Sequence, residues 1–149
     1  MTPPRLPRLL GLAGLLPQLA AVLVLFGRDP ATHFTALALA YAYAALILSF
    51  LGGLWWGLGA RAEHPPAWLW IAAIAPSLVA LASAVPWAVG EPWPGPSLIV
   101  LGAALLAALV IDREVARRDL APPWWLALRV PLSVGLGVLT LVAGAMAFS

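Results

Sequence analysis

The chain contains no cysteine, and all eight of its Lys+Arg residues are arginine. Without a thiol there can be no disulfide, thiolate nucleophile, iron–sulfur cluster or cysteine-based zinc site. Charge of either sign is scarce: 9% of the 149 residues are charged, against about a quarter in soluble domains. Histidine is limited to His33 and His64. No glycine-rich phosphate loop and no nucleic-acid-binding motif is present. These absences predict a non-enzymatic protein with no metal, no cofactor and no nucleic-acid partner.

What the chain does have is apolar length, with 63% of its residues hydrophobic. Five apolar runs predict helices at 9–26, 34–58, 67–87, 97–111 and 125–148, and about 17–25 residues suffice to cross a bilayer. The charges fall between these runs. Arg5 and Arg8 precede the first, and Arg28 with Asp29 follows it. Arg61 and Glu63 follow the second, Glu91 the third, and the cluster from Asp112 to Asp119 the fourth. Only Arg129 enters a run, near its start. A charge at the centre of hydrocarbon costs several kcal/mol, so a chain that threads a bilayer repeatedly must be built this way. The fold class is therefore an all-α membrane protein, a bundle of five transmembrane helices in a single domain over 1–149.

The first run follows two arginines, as in a signal peptide, but exceeds the usual apolar core of about 7–15 residues and reads as a retained span. The fourth is short and is expected to continue as a helix past Ile111. With five spans, Arg5, Arg8, Arg61, Arg113, Arg117 and Arg118 share a side with Arg129, and only Arg28 lies opposite. The positive-inside bias then places the N-terminus in the cytoplasm and the C-terminus outside. The arginine-only, alanine- and leucine-rich composition suggests a bacterial inner membrane. Trp55, Trp56, Trp68, Trp70, Trp124 and Trp125 fall near the cytoplasmic interface, Trp87 and Trp93 near the outer one, where indole rings serve as anchors.

Pro17, Pro76 and Pro131 each lie in the cytoplasmic half of an outward-going helix and hint at a hairpin repeat. Each removes a helical hydrogen bond and frees a carbonyl about four residues earlier, at Ala13, Ala72 and Ala127. The histidines fall on opposite sides, so they cannot share one haem. No ionisable residue lies at mid-membrane, where ion or proton translocation usually places one.

Three constellations carry the candidate sites. Ala38, Ala42, Ala45, Ser49, Gly53 and Gly57 are separated by steps of four and, once, three, along one helical face with Gly52 beside it. Small faces let helices approach closely in lipid, so this face is expected to pack the bundle or meet a partner: other membrane protein subunits or a second copy. Alternatively its glycines open a groove for a lipid or quinone against Tyr41, Tyr43 and Trp56, making the protein a carrier of a hydrophobic small molecule. In the fourth loop Glu114 and Arg118 are spaced as a helical ion pair, and Arg113 and Arg117 share a face suited to anionic lipid headgroups. Arg129, just inside the last helix, must snorkel outward or find a partner in Asp112, Glu63 or a lipid phosphate.

The run Ile47-Leu48-Ser49-Phe50-Leu51-Gly52-Gly53 followed by Trp56-Gly57 resembles the signature of domain-of-unknown-function family 3429, the transmembrane protein 69-like proteins. The stretch from Trp124-Trp125-Leu126 through Arg129 to Pro131-Leu132 is similar to the start of that family's last helix. The resemblance implies a small multi-span protein of bacterial inner membranes and mitochondria, and supplies no activity or catalytic residue. On this reading the protein is an accessory, assembly or stabilising subunit that acts through helix packing. A reporter fused after Ser149 is expected to be exported, and a protease-accessible tag before Arg5 to be reached only from the cytoplasmic side; a cytosolic C-terminal reporter overturns the arrangement.

Overall fold

Turn chemistry and proline placement set where the helices begin and end. In the computed structural model, which describes residues 1–149, seven helices form: α1 (Arg5–Ala13), α2 (Leu16–Phe26), α3 (Pro30–Arg61), α4 (Ala67–Ala82), α5 (Val85–Ala88), α6 (Gly95–Arg117) and α7 (Trp125–Met146). Five of the resulting spans, α1–α2, α3, α4–α5, α6 and α7, are long and apolar enough to cross a membrane. There is no strand. The protein is an all-helical membrane bundle.

The Asp29 side chain accepts from the Ala31 amide at 3.1 Å, capping α3 directly before Pro30, where the missing N–H of proline costs nothing. At the other end of α3, Pro65 and Pro66 forbid continuation. Helix α6 runs to Arg117, beyond the apolar run that ends at Ile111. It closes with Asp119 in the left-handed region (φ 55°), while Leu120 N–H donates to Val115 O and Asp119 N–H to Ala116 O. That pair of bonds satisfies carbonyls that a helix end leaves open. Gly90 (φ 77°) ends α5 in the same manner.

Two expected spans are interrupted. The first starts earlier than expected, at Arg5, and breaks at Gly14 and Leu15, just before Pro17. The third breaks at Ser83 and Ala84, before Pro86. At the first break the Gly14 carbonyl accepts from the Tyr43 hydroxyl of α3, so a side chain replaces the lost helical partner.

Helix α3 is the hub, touching α2, α4, α6 and α7, while the most extensive interface joins α6 and α7. The main core gathers Leu48, Leu51 and Trp55 of α3 with Leu69, Leu101, Leu105 and Leu136. Large apolar residues such as Leu23, Leu46, Ile71, Leu81 and Val110 point outward. On a soluble protein such a surface would be a liability; in lipid it is the solvated one.

Helices in lipid gain no hydrophobic energy from touching, so close backbone approach has to hold them. The glycines that achieve it are on α6 and α7. A Cβ added at Gly102 would stand 3.0 Å from the Gly137 carbonyl oxygen, and one at Gly137 would stand 3.2 Å from the Gly102 carbonyl. The approach is reciprocal, glycine against glycine. A Cβ at Gly144 would meet the Ile99 side chain at 2.8 Å and Leu98 Cβ at 3.1 Å. Between α3 and α4, the space a Cβ at Gly52 would need is filled by the Ala73 carbonyl. Gly137→Leu and Gly102→Leu are therefore expected to lower stability by about 1–3 kcal/mol or more, the usual cost of overpacking, read as an earlier thermal transition in mild detergent.

Candidate functional site

The one fully buried ionisable group in the bundle is Asp112, which has no solvent exposure. It sits on α6 a turn and a half before the helix ends, the only carboxylate facing the interior. Its Oδ1 accepts from two indoles, Trp55 Nε1 of α3 and Trp125 Nε1 of α7, each at 3.0 Å. Its Oδ2 accepts from Arg129 Nε of α7 at 3.0 Å. Arg129, 5% exposed, also donates from Nη2 to Ser133 Oγ at 2.7 Å. Three helices thus converge on one carboxylate.

Each donor is there for a local reason. Trp125, Arg129 and Ser133 are spaced by four along α7 and so share a face. Trp55 lies on the α3 face that also carries Leu48, Leu51 and Gly59. A buried charge is tolerated only when paired and hydrogen-bonded. Here a carboxylate with about four acceptor positions receives three donors, one of them cationic. Chemically the arrangement is a fixed node that ties three helices together, and Asp112 has no contact with bulk water.

Arg129 thus meets Asp112, whereas Glu63 is exposed in the loop after α3. Two expected interfacial anchors need correction. Trp55 and Trp125 are 3% and 7% exposed, and their N–H groups are spent on Asp112 rather than on headgroups. The i, i+4, i+8 spacing of Trp125, Arg129 and Ser133 was the signal for this. Trp56 is half exposed and packs edge-on against Trp70.

The small-residue face of α3 also lies differently from the expectation that it packs the bundle. Ala42, Gly53 and Gly57 are exposed, Ala45 and Ser49 are partly so, and only Gly52 is buried. No atom lies within 4 Å of a Cβ built at Gly53 or Gly57. The buried face is instead Leu37, Ala40, Ala44, Leu48, Leu51, Gly52, Trp55 and Gly59. Core volume and the reach of Trp55 to Asp112 decide that rotation. Nor do Tyr41, Tyr43 and Trp56 frame one groove. Tyr41 bonds Ser83 Oγ at 3.0 Å and packs edge-on against Trp93, Tyr43 turns to Gly14, and Trp56 to Trp70.

In the last turn of α6, Glu114 takes both Arg117 and Arg118, and the Arg118 guanidinium lies 5.6 Å over the Trp68 ring. Arg113 is exposed with no ion pair. Two further polar clusters stand inside the bundle. Gln18 Nε2 donates to Thr140 Oγ1 at 2.8 Å and to the Ala40 carbonyl at 3.2 Å, tying α2 to α7 and α3. Ser97 Oγ donates to the Ser83 carbonyl at 2.6 Å, tying α6 to the break before α5. His33 and His64 lie at opposite ends of the bundle, and no three His, Asp or Glu side chains cluster.

A family profile described as "Protein of unknown function (DUF3429)" matches residues 3–146, nearly the whole chain. The chain belongs to this family. No curated protein and no solved structure matches it. Both segments that carried the resemblance in the sequence bear on the node described here: the DUF3429-like run of α3 leads into Trp55, and the start of α7 supplies Trp125 and Arg129.

Removing one partner of a buried ion pair leaves the other uncompensated, a loss of about 3–5 kcal/mol. Arg129→Leu and Asp112→Leu are each expected to show it as a large drop in thermal stability in detergent. The double variant, which leaves no stranded charge, should be more stable than the sum of the single losses implies. Equal stability of wild type and Arg129→Leu overturns the assignment.

Proposed function

We propose that this DUF3429 protein is a non-enzymatic subunit of the bacterial inner membrane, its N-terminus cytoplasmic, that assists or stabilises a larger complex by receiving a partner's transmembrane helix on the outward face of α3. One observation carries the reading: Gly53 and Gly57 lie on that face with open space where side chains would be. Glycine weakens a helix by about 1 kcal/mol relative to alanine. Inside the chain that cost is offset at Gly102 and Gly137 by close packing. At Gly53 and Gly57 nothing within the chain offsets it.

The shape supports the same reading. Exposed Leu46 and Phe50 stand on the face as ridges, and the glycine pair one and two turns further on forms a notch. A helix crossing there would seat a ridge in the notch, as small-xxx-small pairs do. The polar groups of the bundle are largely spent on one another, which fits a passive, structural role. The loops are short, the longest between spans being the turn after α6 and that after α5.

Gly53→Leu and Gly57→Leu test this cleanly, because the added side chain meets no atom of the chain itself. Both variants should keep the thermal stability of wild type while losing a membrane-protein partner that co-purifies, or cross-links to α3, in native membranes. Unchanged partner recovery, or a wild-type protein extracted gently as a lone monomer, overturns the proposal; cross-links only between identical chains would make the partner a second copy.

A further inference from the structure

A second surface adjoins the helix-docking face of α3 at Phe50. Between α1, α3 and α7 runs a groove of about 400 Å³, within the range of about 300–1,000 Å³ typical of small-molecule sites. Its walls are apolar: Leu10 of α1, Ile47 and Leu54 of α3, and Leu128, Leu132 and Leu136 of α7. Arg129 is the one charged residue on its lining. No residue of α1 is buried, so that helix forms an outer wall rather than part of the core.

The guanidinium of Arg129 has five N–H donors. Nε is taken by Asp112 and one Nη2 hydrogen by Ser133. Nη1 and the second Nη2 hydrogen find no acceptor in the chain. Asp112, for its part, is already met by two indoles as well as by Nε. The carboxylate is shared among three donors, so the far edge of the guanidinium keeps positive potential. A buried cation with unused donors at the edge of an oily groove wants an acceptor that brings its own apolar body.

The geometry points to a binding site for one phospholipid, its phosphate on the free edge of Arg129 and an acyl chain along Leu132 and Leu136. Depth agrees with this. Arg129 lies four residues into α7, roughly 6 Å from the helix start at 1.5 Å per residue, so a phosphate there would sit near the end of the span with Leu132 and Leu136 further along it. Planar guanidinium forks match phosphate oxygens in pairs. The groove is closed by nothing else in the chain, and the adjoining surface at this end carries Arg8, which adds to the attraction for an anionic head.

The test uses the purified, delipidated full-length protein and native mass spectrometry, with three probes: phosphatidylglycerol, diacylglycerol with the same chains, and inorganic phosphate. One phosphatidylglycerol should be retained per chain, and diacylglycerol should bind at least about ten-fold more weakly, since it lacks the charge-assisted bonds. Arg129→Lys keeps a cation beside Asp112 but loses the planar fork, and should weaken phosphatidylglycerol by about ten-fold. Leu10→Trp fills the groove from an exposed wall position and should do the same without touching the node, so it decides the matter if Arg129→Lys unfolds. Gly53→Leu should leave lipid retention unchanged, which separates this site from the helix-docking face. Equal binding of phosphatidylglycerol and diacylglycerol, wild-type affinity in folded Arg129→Lys and Leu10→Trp, or inorganic phosphate bound as tightly as the lipid overturns the proposal.

Discussion

A carboxylate sealed from water inside an apolar bundle admits few solutions, and the rest of this structure is arranged around the one adopted at Asp112. The acid must be charged only where a cation and neutral donors can reach it together. That requirement brings α7 alongside α6 at the height where Arg129 faces Asp112. It also turns α3 so that Trp55 points inward. Burying an ion pair is no sure source of stability, and apolar residues of similar volume often do as well. What the pair supplies here is register: sliding α7 by one turn against α6 would strand both charges and the Trp125 indole.

The glycines divide into two classes that composition cannot separate. Gly102 and Gly137 are in backbone contact across the α6–α7 interface, and Gly52 lets α4 approach α3. Gly53 and Gly57 touch nothing. In lipid the first class offsets its helix cost through dispersion between backbones that no larger residue would permit. The second class has the same helical spacing and the same residue type, but lies a hundred degrees or more around α3 from the buried face.

Five spans, their order and the continuation of α6 past Ile111 were legible from where charge is missing, because hydrocarbon penalises charge directly. The need of Arg129 for a partner was legible too, and so was Asp112 as one option. The rotation of α3 was not. Its outward stripe of small residues has as regular a period as its inward stripe, and lipid rewards neither face by hydrophobicity. The indoles of Trp55 and Trp125 were misplaced for a related reason. Both sit at the end of a span, where a tryptophan serves equally well as a headgroup anchor or as a donor to a buried acid. Only the position of the acid distinguishes the two roles. The break at Pro17 follows from the hydrogen bond that proline removes, whereas Pro76 and Pro131 sit inside continuous helices; the break before Pro86 was hidden because one helical run and two successive pieces have the same hydropathy.

The helix-docking face and the lipid groove share one helix. At about 100° per residue, Phe50 and Leu54, which line the groove, lie roughly 60° and 100° around α3 from Gly53. Ile47 and Leu51 continue toward the core side. A partner helix seated at Gly53 and Gly57 would therefore have Phe50 at its edge, the same ring that borders the acyl chain on the other side. Neither surface requires the node to move, since Asp112, Trp55 and Trp125 are held by donors and acceptors within the chain. A rigid interior with two adjoining, unfilled outer surfaces is what a protein needs to present a lipid and a neighbouring helix to each other. If occupancy of one surface shifts the Phe50 ring, linkage requires that each occupant alter the affinity of the other by the same factor.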